Sequence, residues 1–60
     1  MGQAKFEIKK RTNGEFMFNL KAGNGETIAT SEGYSSKQGC KDGIESVKIN
    51  APKADIVDLT

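Results

Sequence analysis

The chain has no histidine and a single cysteine, Cys40. A disulfide within the chain is therefore impossible. A zinc site would rest on one thiolate and carboxylates, a poor donor set, so neither a metal nor another cofactor is expected. No apolar run approaches the ~18 residues of a membrane-crossing helix, which excludes a membrane-spanning reading. The N-terminus carries no apolar core of the kind an export signal has, and one unpaired cysteine suits a reducing compartment; the expected location is the cytoplasm. Charge of one sign is lacking too. Nine Lys and Arg stand against eight Asp and Glu, interspersed, for a net charge of +1. Nucleic acid usually demands a clustered basic face, so it is not an expected partner. Apolar residues make up only 35% of the 60 residues. A chain this short hides only about 60% of the surface its unfolded form exposes. With no disulfide or metal to brace the core, self-association is the remaining support.

What is present is pattern. Residues 4 to 11 alternate, with Phe6 and Ile8 on one face and Lys5, Glu7 and Lys9 on the other. Residues 15 to 22 alternate more clearly, setting Phe16, Phe18 and Leu20 against Glu15, Met17, Asn19 and Lys21. Residues 26 to 31 read as a third strand, with Ile28 and Thr30 on the face opposite Ala29. Period-2 alternation marks a half-buried strand, and Asn13-Gly14 and Asn24-Gly25 between the runs are hairpin signals. A two-residue Asn13-Gly14 turn would pair Ile8 with Asn19 and split the apolar residues between two faces. A loop of Thr12-Asn13-Gly14 pairs Arg11 with Glu15, Ile8 with Phe18, and Phe6 with Leu20. The same choice at Gly23-Asn24-Gly25 pairs Leu20 with Ile28. Because a one-residue slip turns a whole face outward, the longer loops are predicted, with glycine in the left-handed region at Gly14 and Gly25.

Ser35, followed three residues on by Gln38, predicts a capping box and a helix running to about Asn50. Cys40, Ile44, Val47 and Ala51 fall on one apolar stripe of that helix. Gly39 and Gly43 inside it each cost roughly 1 kcal/mol against alanine. Gly43 in particular predicts close approach to the sheet or to another chain. Asn50-Ala51-Pro52 ends the helix, since residues before proline avoid helical backbone. Asp55 to Thr60, with Ile56, Val57 and Leu59, reads as a last short strand. The predicted fold class is thus α+β: an antiparallel three-stranded meander, one helix packed on one face, then a C-terminal strand, in the order β-β-β-α-β. The predicted core is Phe6, Ile8, Phe16, Phe18, Leu20, Ile28, Cys40, Ile44 and Val47 with one or two of Ile56, Val57 and Leu59, which is thin for a monomer.

Several runs together resemble the YegP-like family of small uncharacterised bacterial proteins. They are Asn13-Gly14-Glu15-Phe16 with Phe18 and Leu20-Lys21-Ala22, Asn24-Gly25-Glu26 with Ile28-Ala29, Ser31-Glu32-Gly33-Tyr34, Gly43-Ile44-Glu45-Ser46-Val47-Lys48, and Asn50-Ala51-Pro52. The match covers nearly the whole chain as a single domain. It implies a fold but no catalytic residues. Members with two copies of the unit imply that two units pack together, so a one-copy chain is expected to form a homodimer. Another protein partner is compatible with the same surfaces.

Few residues suggest chemistry. Cys40 has no histidine to activate it and reads as a small buried hydrophobe. The corner of Ser31, Tyr34, Ser35, Ser36 and Lys37 could hold a small anion or single-stranded nucleic acid at a helix N-terminus. Each of these residues also has a structural task there, with Ser35 as cap and Tyr34 burying its ring while its hydroxyl points outward. The outer sheet face offers Met17, Asn19, Ala29 and Ser31, edged by Glu7, Lys9, Arg11 and Lys21, as a lightly apolar strip. Interface candidates are Met17, Asn19, Ala29, Gly39, Gly43, Ile56, Val57 and Leu59. Lys9-Lys10-Arg11 lacks the exposed aromatics of a base-stacking platform. The carboxylates form no evident catalytic pair, so no enzyme is expected.

Overall fold

A computed structural model describes residues 2–60. Three strands, β1 (Lys5–Lys10), β2 (Phe16–Lys21) and β3 (Thr27–Thr30), precede one helix, α1 (Lys37–Asn50), and a 3₁₀ turn, Ala51–Lys53. The strands form an antiparallel sheet in the order β1-β2-β3, and α1 lies against β2.

The first hairpin has the predicted loop. The Arg11 N–H donates to the Glu15 carbonyl at 2.6 Å and the Gly14 N–H to the Arg11 carbonyl at 3.0 Å. The Asn13 side chain accepts from the Glu15 N–H at 3.0 Å. Gly14 stands at φ 90°, where any side chain would be strained. Ile8 therefore faces Phe18 and Phe6 faces Leu20. The second hairpin opens in the same way. The Ala22 N–H donates to Glu26 at 2.8 Å, the Asn24 side chain accepts from the Glu26 N–H at 3.0 Å, and Gly25 is also at φ 90°.

Beyond that loop the predicted register fails. Lys21 faces Thr27, but Leu20 faces Ala29 rather than Ile28, with a bulge between the two pairs. Ile28 is the extra residue and is 62% exposed, so it does not belong to the core. Ala29 leaves the outer face, where alternation placed it, and comes to the inner one opposite Leu20. The cause lies at Asn19, which is 9% exposed. With the bulge, Thr30 stands opposite Asn19 and its hydroxyl donates to the Asn19 Oδ1 at 3.0 Å. Without it, Ala29 would stand there and leave the amide oxygen without that donor. An unsatisfied buried polar group costs about 1–3 kcal/mol, comparable to what burying an isoleucine returns.

The chain stays attached to β2 after β3. The Ser31 N–H donates to the Phe18 carbonyl at 2.9 Å, and the Ser31 hydroxyl accepts from the Phe18 N–H at 2.9 Å. Tyr34 then exchanges two backbone hydrogen bonds with Phe16, at 2.7 and 2.8 Å. The helix is capped by Ser36, not Ser35. Its hydroxyl accepts from the Gly39 N–H at 3.0 Å. With Ser36 as cap, the position that would reciprocate is Gly39, which has no side chain, so no capping box forms. Gln38 bonds Asp42 one turn on instead, at 3.0 Å. At the other end Pro52 converts the helix to a single 3₁₀ turn.

Among the described residues the buried hydrophobic side chains are Phe18 and Cys40 alone. Phe6, Ile8, Phe16, Leu20, Ile44 and Val47 are half-buried, and all of β3 is exposed. Ala51 is exposed as well, off the end of the buried stripe. The predicted last strand is absent. Asp55 to Thr60 pairs with no strand, and Ile56, Val57 and Leu59 are 98%, 72% and 90% exposed. Alternation alone does not make a strand; the backbone needs an edge to join, and in this chain the tail meets none.

Candidate functional site

The sheet and helix do not close over each other. Between them is an open cavity of about 350 Å³, lined by Phe6, Phe18, Leu20, Ala29, Tyr34 and Val47, with Thr30, Ser31 and Glu32 along one side. Phe18 forms its centre. The Phe6 ring meets it edge-on at 5.6 Å between centroids and 72°, and the Tyr34 ring stacks on it at 6.3 Å and 18°. Such a surface recognises apolar side chains by burial. Of its lining residues Glu32 and Tyr34 are ionisable, and Glu32 is exposed. No pair of acid and base converges on it. Alternation had assigned these side chains to a closed core. The low apolar content was the signal that there was not enough of it to close.

Tyr34 accounts for both helix glycines. A Cβ at Gly43 would stand 2.7 Å from the Tyr34 Cζ and nearer still to its hydroxyl, and one at Gly39 would stand 3.7 Å from the ring. The tyrosine hydroxyl therefore lies over the helix at Gly43 rather than outward, because the missing side chain leaves a slot for it. The close approach predicted from Gly43 is between helix and sheet, through this ring, within one chain.

The strand-to-helix corner is less open than its composition suggests. The Ser31 hydroxyl accepts from Phe18 and donates to the Glu32 carbonyl at 2.8 Å, and the Ser36 hydroxyl holds Gly39. Ser35 and Lys37 are exposed. Tyr34 belongs to the groove, so the five corner residues do not converge on one point.

The outer sheet face is a polar surface. Glu7 lies 3.5 Å from Lys5 and 3.9 Å from Lys9. Met17 is half-buried there and Asn19 is engaged by Thr30. Arg11 is turned to Glu15 at 3.6 Å and to the Ser31 carbonyl at 3.4 Å, while the Lys10 ammonium sits 5.5 Å above the Phe16 ring. The Cys40 thiol is fully buried. Among the described residues no cluster of three or more Cys, Asp or Glu could hold a metal, and no helix is long and apolar enough to cross a membrane. In the tail, the Asp58 carboxyl is held below its ordinary range by the Thr60 hydroxyl and then by the Thr60 N–H, at 2.6 and 2.9 Å.

Residues 12–58 match the family model described as a domain of unknown function, DUF1508. The chain is 58% identical over 55 residues to a UPF0339 protein of Treponema denticola, covering 92% of this chain and 95% of that one. It is 48% identical to the UPF0339 protein YegP of Yersinia pestis, covering 98% of this chain but only 53% of that protein, so it spans about half of some relatives. An NMR solution structure of a protein from Haloferax volcanii superposes with a TM-score of 0.86 at 44% identity, over 97% of this chain and 98% of that one. Relatives are thus archaeal as well as bacterial, wider than the resemblance to a bacterial family implied. The sheet, the helix and these likenesses agree: the chain belongs to the YegP-like family of DUF1508 domains.

Proposed function

We propose that this domain is a non-enzymatic, cytoplasmic module that works as a homodimer through protein contacts. The observation that carries the proposal is the imbalance of apolar burial. Two hydrophobic side chains are buried among the described residues, whereas Ile28, Ile49, Ile56, Val57 and Leu59 are large and exposed. A small domain with so little enclosed surface gains more from association than a well-packed one, because the apolar area removed from water sets the driving force. The non-enzymatic part is supported by the buried Cys40 thiol and by the absence of a converging acid–base pair at the groove.

Sedimentation equilibrium at micromolar concentration is expected to give twice the 6.5 kDa of one chain. A stable monomer would sink the proposal. The alternative, anion or single-stranded nucleic acid at residues 31–38, is weaker because two of its hydroxyls are already committed. Titration with inorganic phosphate and with oligonucleotides, followed by amide shifts, is expected to leave that corner unmoved.

A further inference from the structure

We infer that the groove's occupant is the C-terminal segment of a second copy of this chain, with Val57 and Leu59 entering it. This rests on the homodimer proposed above and says which surfaces make it. The first observation is complementarity within one sequence. The groove offers Phe6, Phe18, Leu20, Ala29, Tyr34 and Val47 and is open. The tail carries Ile56, Val57 and Leu59 with almost nothing against them.

The second observation is the tail's pattern. Successive side chains of an extended segment point to opposite sides, so Val57 and Leu59 share a face while Asp58 between them points away. The pair can enter an apolar groove without taking the carboxylate out of water, which would be costly.

The third is the backbone. Among the described residues β3 pairs with β2 alone, so its other edge is unpaired where Thr30 borders the groove. An extended segment laid there finds N–H and C=O groups to join. A helix or a folded surface would not use them. The apolar content of the tail, which made no strand in its own chain, then becomes a strand in its partner's.

The fourth is length. The chain spans 53% of the Yersinia YegP protein, so such relatives have room for a second unit beside the first.

The test is a 1:1 mixture of isotope-labelled and unlabelled full chains, with nuclear Overhauser effects filtered for contacts between copies. Contacts from the Val57 and Leu59 methyls of one copy to Phe18, Leu20 and Tyr34 of the other are expected. The tail variant Val57→Asp/Leu59→Asp, whose changes lie outside the folded core, is expected to lose them and to weaken the dimer about a hundredfold. Three results would overturn the inference while leaving the dimer standing: tail-to-groove contacts within one copy only, a dimer whose tail methyls make no contact, or an unchanged dimer affinity in the tail variant. A monomeric wild-type chain would remove the proposed function as well.

Discussion

The β1–β2 and β2–β3 hairpins turn through equivalent loops, each with an Asn side chain holding the N–H two residues on and a glycine at φ 90°, yet only the first keeps its register to the end. In the first, every inward position is apolar and meets an apolar partner until Lys10 meets Phe16. In the second, continuing the register would pair Leu20 with Ile28 but set the nearly buried Asn19 against Ala29. A turn fixes the first pair of a ladder. Each later pair is held by its own side chains, and a bulge is available wherever a polar partner outweighs an apolar one.

Both hairpins share β2, so the largest expected effect is at its centre. Phe18→Ala removes the ring on which Phe6 and Tyr34 pack and is expected to cost about 3–5 kcal/mol in urea unfolding, enough to abolish a small domain's cooperative transition. Next comes the proposed cause of the difference. Thr30→Val should cost about 1–3 kcal/mol by orphaning the Asn19 oxygen. Asn19→Val/Thr30→Val should cost less than the two single changes summed, since no orphan remains. A contact between Leu20 and Ile28 in the double variant, seen by NMR, would show the bulge relaxing into the regular register. Strict additivity of the two changes would mean that the Asn19–Thr30 bond does not hold the bulge.

The sequence made legible whatever one local rule decides. The two glycine loops, the pairing of Ile8 with Phe18, and the stop at Pro52 each follow from a single steric or patterning requirement. It did not reveal features set by a contest of similar energies. Ser35 and Ser36 are equally good caps, and the choice is settled by the backbone position of Tyr34, which bonds Phe16 across the sheet. Ile28 against Asn19 is another such contest. The groove escaped notice because alternation shows which side chains face inward but not whether anything covers them. The tail escaped for the related reason that its pattern describes a strand while its partner edge is missing from the chain.

The two remaining comparisons set like residue against like. Gly14→Ala and Gly25→Ala force the same strained backbone, at about 1–2 kcal/mol each. Their effects should separate in native-state hydrogen exchange. Gly14→Ala should loosen β1 and β2 together, whereas Gly25→Ala should loosen mainly the exposed β3. Equal loosening of all three strands would mean that the hairpins unfold as one unit and that the bulge has no dynamic consequence. The smallest effect is expected from isoleucine. Ile8→Val removes a methylene from a half-buried side chain facing Phe18 and should cost about 0.5–1.5 kcal/mol. Ile28→Val removes the same group from the bulged residue and should fall within about 0.5 kcal/mol of zero at the same chain concentration. If Ile28→Val costs as much as Ile8→Val, Ile28 is covered in solution by something other than its own chain, and the bulge serves to present it there rather than merely to satisfy Asn19.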